Sequence, residues 1–217
     1  MTEQEILEIY QRAGAVWFFD YKGDPKAPHA ELTSGLCSDG YVNSAPVLSD
    51  PVTVQTLGFW MTKRLGERNI TEVDWVIGSA YAAITFSYEV ARQLGARHGF
   101  VEKDPTNPKK MVWNRLAIPG HAEVLQCEEL ITTLGTTMEV RRAVDEGNPE
   151  PVRWLPTVAT AVYRPTDLWM DHDDIGIVYL VGRQVQSWKP EECPLCVNGS
   201  PRLRPKQHWT ELTCKAA

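Results

Sequence analysis

Two adjacent carboxylates followed by small hydroxyl residues are the part of this sequence best suited to chemistry. Residues 124–137 read V-L-Q-C-E-E-L-I-T-T-L-G-T-T, with Glu128 and Glu129 after an apolar run. The run is typical of a buried strand, and a helical pattern begins after the Thr-rich turn. Backbone N–H groups at the start of a helix attract anions. Carboxylates beside such a cradle indicate a ligand with both hydroxyls and phosphate, such as a ribose phosphate.

Two further stretches carry residues suited to the same ligand. Gly78, Ser79 and Ala80 form a turn of small residues after an apolar segment. The polar segment 102–110 contains Lys103 and two more lysines, and ammonium groups on a mobile loop can exclude water and neutralise a leaving anion. Each stretch alone also fits an ordinary turn or a solvated loop, just as the threonines fit a helix N-cap.

Strands and helices alternate through the middle of the chain. Asp50 followed by Pro51 predicts a helix start, and Gly95 predicts a helix end. The patterns predict helices at 3–13, 51–65, 82–94 and 136–144, and strands at 73–77, 99–101, 111–118, 124–127, 158–163 and 175–181. This alternation predicts an α/β fold with a mainly parallel sheet flanked by helices, and such sheets bind ligands beyond the carboxyl ends of their strands.

The segments, taken in order, resemble a type I phosphoribosyltransferase, and most closely an orotate phosphoribosyltransferase. The similarity is carried by C-E-E-L-I-T-T-L-G-T at 127–136, L-T-S-G-L-C-S-D-G-Y at 32–41, V-I-G-S-A at 76–80, F-V-E-K at 100–103, Y-R at 163–164 and P-E-E-C-P-L-C at 190–196. Any one of these motifs is weak, whereas the ordered set is fairly specific.

The resemblance implies transfer of ribose 5-phosphate from PRPP to orotate, giving orotidine 5′-monophosphate and pyrophosphate. The catalytic residues would be Lys103, Lys109, Glu128 and Glu129. The PRPP-binding residues would be Gly78, Ser79, Ala80, Glu128, Glu129, Thr132, Thr133, Leu134, Gly135 and Thr136. The base would contact Ser34, Thr132 and Arg164. Magnesium would bind through PRPP, and the loop at 102–110 would be shared across a homodimer.

Several positions depart from the family pattern. Leu134 stands where the family usually has Gly, and it is costly there if the backbone needs a positive φ. Ser79 replaces Pro, and Cys37 replaces a common His. Three alternatives therefore stay open: a transferase for another base, a PRPP- or nucleotide-binding regulator with weak turnover, and a zinc-stapled interaction module.

The C-terminal segment is rich in cysteine and proline. Cys193 and Cys196 have the C-x-x-C spacing of zinc ligands, and His208 and Cys214 follow them, so these four residues are the candidate zinc ligands. Reduced thiols are the alternative, because the chain has five cysteines without a regular framework. We expect a phosphoribosyltransferase domain at 1–187, with a hood within about 14–45, and an appendage at 188–217.

The composition is that of a globular protein. The chain has 217 residues, of which 43% are hydrophobic, and a net charge of −6. An acidic balance argues against a nucleic-acid partner, which needs a basic face. No apolar run approaches the roughly 20 residues that span a bilayer, and the N-terminal residues do not resemble a signal peptide. We therefore expect a cytoplasmic protein that does not bind membranes.

Overall fold

The computed structural model describes residues 1–19, 23–107, 110–166 and 175–213. The helices are α1 (Glu3–Arg12), α2 (Ala45–Leu48), α3 (Pro51–Glu67), α4 (Ala83–Leu94), α5 (Gly135–Gly147), α6 (Pro194–Val197) and α7 (Trp209–Thr213). The strands are β1 (Val16–Phe18), β2 (His29–Glu31), β3 (Cys37–Ser38), β4 (Gly40–Val42), β5 (Trp75–Ser79), β6 (Arg97–Lys103), β7 (Met111–Val112), β8 (Glu123–Ile131), β9 (Arg153–Tyr163), β10 (Gly176–Gly182), β11 (Ser187–Trp188) and β12 (Arg202–Leu203).

A six-stranded sheet forms the centre of the molecule, in the order β10-β9-β8-β5-β6-β7. All neighbours pair in parallel except β7, a short antiparallel strand at the edge. The chain passes from β5 outward to β6 and then returns to β8 on the other side of β5. The gap between the carboxyl ends of β5 and β8 is therefore the topological switch point, where open α/β sheets bind ligands. The predicted α/β class and mainly parallel sheet are confirmed.

Local signals set the helices that cover the sheet. Asp50 accepts hydrogen bonds from the backbone N–H groups of Val52 and Thr53, and so caps α3. Gly95 ends α4 with a φ of 71°, which an L side chain adopts only with strain. Residues of α1, α3 and α4 form a large core on one face of the sheet, and α5 packs on the other. Within the described ranges, no helix has the length and hydrophobicity needed to cross a bilayer.

The N-terminal hood and the C-terminal segment fold together. Strands β2 and β3 of the hood form the middle of a four-stranded sheet, with β11 and β12 at its edges. Their side chains share a core that joins Trp17 and Ala30 of the hood to Leu195 and Leu212 of the C-terminal segment. The last part of the chain thus fixes the hood.

The predicted strands differ from the observed ones in their limits, and two of the differences bear on the site. The run at 111–118 is a strand only at Met111–Val112, because Ile118 satisfies its backbone N–H and carbonyl through the side chain of Asn148, at 2.8 Å each. The strand predicted at 124–127 extends to Ile131, because β9 keeps pairing with it. Glu128 and Glu129 consequently lie within β8 rather than after it.

Candidate functional site

Ser79 and Glu128 meet at the switch point of the sheet. The pairing of Ile77 with Gln126 brings the end of β5 beside the acidic part of β8. The Ser79 hydroxyl donates a hydrogen bond of 2.6 Å to Oε2 of Glu128. Two of the segments predicted to form the site are therefore in direct contact.

Burial controls the charge of Glu128. The residue is 2% exposed, and burial raises the pKa of its carboxyl from the usual 4.5 to about 7, against the opposing hydrogen bonds from Ser79 and Gln126. Glu129 lies next to it and is only partly buried, and burial also raises the pKa of its carboxyl. A carboxyl with a pKa near neutrality can exchange protons and accept hydrogen bonds from hydroxyls at physiological pH.

A chain of polar side chains holds Glu128 in position from behind. Arg141 of α5 donates from Nε to Oε1 of Gln126 at 3.3 Å, and Gln126 donates from Nε2 to Oε1 of Glu128 at 3.0 Å. Arg141 also donates to the carbonyl of Leu155 at 3.0 Å. Gln126 and Arg141 are not among the site residues predicted from the sequence. The signal for Gln126 is an amide inside an otherwise apolar strand, two residues before the acid it contacts.

The first turn of α5 opens next to this pair. The helix begins at Gly135, and its N-cap residue, Leu134, makes no side-chain hydrogen bond to it. The first N–H groups of the helix are thus left to a ligand or to water, and the helix dipole favours an anion there. Thr133 and Thr136 are exposed and Thr132 is partly buried. Thr137 is buried, and its hydroxyl has no hydrogen-bond partner in the described part of the chain.

Leu134 fits the loop without strain. Its φ is −79°, in the region that L residues prefer, so the position does not require glycine. Its side chain packs against the small cluster of Ile131, Val158 and Tyr163. Leucine at this position therefore precedes α5 without backbone strain.

Gly78 and Ser79 are the last residues of β5, and the turn predicted at 78–80 begins only at Ala80. A Cβ on Gly78 would lie 2.4 Å from Oγ of Ser87, so Gly78 allows α4 to approach the sheet closely. The N–H of Ala80 donates to the carbonyl of Val101 at 2.9 Å, whereas the Ser79 hydroxyl is used in its hydrogen bond to Glu128. The next peptide, Ala80–Tyr81, is cis, and the ring of Tyr81 is 81% exposed. Tyr81 directly follows the predicted site residue Ala80 and was not itself predicted to belong to the site.

The lysine-bearing loop leaves the same edge of the sheet. Val101 pairs with Ser79, so Lys103 lies two residues beyond the level of Ser79, and it is exposed. The loop is closed by a hydrogen bond of 3.0 Å from the N–H of Asp104 to the carbonyl of Lys110. Arg115 is held by Glu102 through two hydrogen bonds of 2.6 and 2.7 Å. Lys109 lies outside the described residues.

Arg164 faces the hood at the end of β9. Its Nη1 donates to the carbonyl of Gly40 at 3.2 Å, and its Nε, which is buried, has no partner among the described residues. Burial lowers the pKa of Arg164, while Asp39 and Tyr41 favour its charged form. Ser34 lies exposed in the turn between β2 and β3. The described residues include no hydrogen bond that joins Ser34 to Arg164.

The structure does not bring His208 together with the cysteine pair that was expected to bind zinc with it. Cys193 and Cys196 are close together, but His208 lies at the surface and its Nδ1 pairs with Glu211 at 2.9 Å. His29 and Cys37 of the hood stand beside the two cysteines instead. Cys214 lies outside the described residues. Sequence spacing identified the local pair, whereas its partners are contributed by residues more than 150 positions earlier.

The fold and the site define a type I phosphoribosyltransferase. The chain superposes on orotate phosphoribosyltransferase from Mycobacterium tuberculosis H37Rv in complex with inorganic phosphate, with a TM-score of 0.57 and 16% identity over 83% of this chain and 95% of that one. Adenine phosphoribosyltransferase from Saccharomyces cerevisiae gives a TM-score of 0.55 and 16% identity over 81% of this chain and 99% of that one.

The chain belongs to the orotate phosphoribosyltransferase family. It is 32% identical over 207 residues to orotate phosphoribosyltransferase of Heliobacterium modesticaldum, covering 94% of this chain and 98% of the relative. It is 33% identical over 207 residues to the orotate phosphoribosyltransferase of Pelotomaculum thermopropionicum, covering 94% and 97%. No protein-family model matches the chain.

Proposed function

We propose that this protein transfers ribose 5-phosphate from PRPP to a ring nitrogen of orotate, forming orotidine 5′-monophosphate. The bond between the anomeric carbon and the diphosphate oxygen breaks, and the diphosphate leaves with the bonding electrons. The bond between that carbon and the base nitrogen forms, and the proton of that nitrogen is released to the leaving diphosphate or to water. The reaction needs positioning and charge stabilisation more than covalent help from the protein, because the sugar carbon becomes cation-like.

The observation that carries the proposal is the hydrogen bond between Ser79 and Glu128, which lies beside the N-terminus of α5, where no side chain of the N-cap residue caps the helix. Glu128 and Glu129 would accept hydrogen bonds from the ribose hydroxyls, and their negative charge would favour the cation-like sugar. The first N–H groups of α5, with Thr132, Thr133 and Thr136, would hold the 5′-phosphate. Ser79 would contact the diphosphate of PRPP, since the end of β5 adjoins the lysine-bearing loop.

Magnesium fits this site as an ion that would bind together with PRPP. The ion prefers oxygen ligands and keeps several waters, so it is usually held by one or two carboxylates together with substrate phosphates. The partly buried carboxylate of Glu129 and that of Glu128 are oxygen donors of this kind. Magnesium would neutralise the charge of the leaving diphosphate.

Lys103 is our candidate for the cation that the protein itself supplies. It is exposed at the end of β6, so loop closure can bring its ammonium group to the leaving diphosphate. Lys109 would belong to the same loop. A loop shared across a homodimer, magnesium dependence and a cytoplasmic location stay predictions from the family resemblance.

Arg164 is our candidate for base recognition. A guanidinium binds a carboxylate through two parallel hydrogen bonds, and the buried Nε of Arg164 has no partner among the described residues. Orotate carries a carboxylate, whereas adenine does not. This difference, together with the names of the 30%-identical relatives, favours orotate over another base.

The test is a turnover assay with the purified full-length chain, PRPP, magnesium and orotate, in which orotate loss is followed by absorbance. We expect turnover with orotate and none with adenine or uracil. The Glu128→Gln, Glu129→Gln double variant should bind PRPP more weakly, as measured by calorimetry. PRPP binding by the wild-type chain without turnover of any base would instead support the regulator alternative.

A further inference from the structure

Four soft ligand atoms converge where the C-terminal segment meets the hood. The ring of His29 and the thiols of Cys37, Cys193 and Cys196 place one ligand atom each within 4.8 Å of one another. The first three residues are fully buried and Cys196 is partly buried. This cluster takes no part in the proposed transferase chemistry.

The spacing of these atoms matches a tetrahedral zinc site. Zinc bonds of about 2.3 Å to sulfur and 2.0–2.1 Å to nitrogen, set at the tetrahedral angle, separate two sulfurs by about 3.8 Å and a sulfur from a nitrogen by about 3.6 Å. The Cys37 and Cys196 sulfurs are 3.7 Å apart. Nε2 of His29 lies 3.6 Å from the sulfur of Cys193 and 3.6 Å from that of Cys196.

The tautomer of His29 is set for metal binding. The Ser200 hydroxyl donates its proton to the carbonyl of Ala27 at 2.5 Å, so its oxygen must accept the proton of Nδ1 of His29, 2.8 Å away. A neutral imidazole protonated at Nδ1 presents a lone pair at Nε2, which is the atom that faces the thiols. An outer hydrogen bond of this kind orients histidine ligands in metal sites.

Three secondary-structure elements, α6, β2 and β3, position the four ligand side chains. Cys193 is the N-cap residue of α6 and Cys196 lies in its first turn, and the C-x-x-C spacing lets both thiols face one point. His29 lies on β2, opposite Arg202 of β12, and Cys37 lies on β3, opposite Trp188 of β11. The same strand pairs that bring the C-terminal segment to the hood thus assemble the four ligands.

We propose that His29, Cys37, Cys193 and Cys196 bind one structural Zn²⁺ that fixes the C-terminal segment to the hood. All four tetrahedral positions are occupied by side chains, which is the arrangement of structural rather than catalytic zinc. Thiolate and imidazole ligands also favour zinc over magnesium or calcium, which prefer oxygen. The site is independent of the transferase reaction, so its test does not depend on turnover.

Metal analysis of the untagged full-length protein, expressed with zinc and purified without chelator, provides the first test. We expect about one zinc per chain. Cys193→Ser, Cys196→Ser and His29→Gln should each lose most of it. Cys127→Ala and His208→Gln are matched controls, because they remove a buried thiol and an imidazole outside the cluster, and they should keep the metal.

Ser200→Ala tests the outer hydrogen bond. We expect its zinc affinity to fall about 10- to 100-fold, in competition with a chromogenic chelator, while the stoichiometry is unchanged. Unaltered affinity would contradict the assigned tautomer of His29.

A second measurement uses the wild-type chain and so does not depend on the folding of variants. Cobalt should replace zinc in the chelator-treated protein and give the visible spectrum of tetrahedral Co²⁺ with thiolate ligands. Failure to bind either Zn²⁺ or Co²⁺, iron in place of zinc, or a Cys37–Cys196 disulfide found by mass spectrometry of the non-reduced protein would each overturn the proposal. So would full zinc retention by both the Cys193→Ser and Cys196→Ser variants.

Discussion

Replacing Glu128 with glutamine should stabilise the free protein at alkaline pH. Burial raises the pKa of this carboxyl from 4.5 to about 7. Between these values the folded chain holds a proton that the unfolded chain has released, so the free energy of unfolding falls as pH rises through this window. At about 1.4 kcal/mol per pKa unit, the full loss is about 3 kcal/mol, most of which falls between pH 5 and pH 8.

Glu128→Gln removes this ionisation, and it separately lowers the free energy of unfolding by an amount that does not depend on pH. Glutamine still accepts the hydrogen bond from Ser79, but its amide faces the amide of Gln126, so one hydrogen bond worth about 1 kcal/mol is lost at every pH. We therefore expect the variant to match the wild type within about 1 kcal/mol at pH 5 and to exceed it by about 2 kcal/mol at pH 8. The hydrogen-bond cost cancels in the comparison of the two pH values.

Urea unfolding at pH 5 and pH 8, in the absence of PRPP and magnesium, measures both quantities. Glu72→Gln is the control for the loss of one acidic side chain, because Glu72 is exposed. A stability difference between Glu128→Gln and wild type that does not change with pH would refute the reasoning, since Glu128 would then be ionised throughout the folded state. The same variant should bind PRPP more weakly at both pH values, so stability and ligand affinity change in opposite directions at pH 8.

Leu134, Arg164 and Lys103 can each be tested by one substitution. Leu134→Gly should destabilise the protein by about 1–2 kcal/mol in urea, because apolar packing is lost, and should not tighten PRPP binding, since the φ of Leu134 is already unstrained. Arg164→Lys should raise the KM for orotate about 10-fold or more by removing the planar fork, with little change in the KM for PRPP; Arg183→Lys is the control. Lys103→Ala should lower kcat about 100-fold, whereas Lys63→Ala on α3 should leave it unchanged; equal effects would remove Lys103 from the mechanism.

Features set by neighbouring residues could be predicted from the sequence. The start of α3 depends on Asp50 and the end of α4 on Gly95, and both signals act within a few residues. The sheet class followed from the alternation of strands and helices. The acidic pair and the threonines after it are continuous in sequence, so their neighbourhood could also be predicted.

Features set by distant contacts could not be predicted in this way. The apolar run at 111–118 looked like a strand, but the side chain of Asn148 takes the place of a neighbouring strand at Ile118. The partners of Cys193 and Cys196 lie in the hood, and no spacing rule connects them across so long a stretch of chain. The ordinary φ of Leu134 depends on how β8 continues past the acids before α5 begins, which the residue types alone do not show.

The hood connects the cysteine cluster to Arg164 through four consecutive residues. Cys37 belongs to the cluster, and three positions later the carbonyl of Gly40 accepts a hydrogen bond from Arg164. Between them, the hydroxyl of Ser38 donates to the carbonyl of Gly40 at 2.9 Å and lies at the same distance from that of Gln186. The C-terminal segment, through Trp188 opposite Cys37, therefore packs against the same short segment of the hood that accepts the hydrogen bond from Arg164.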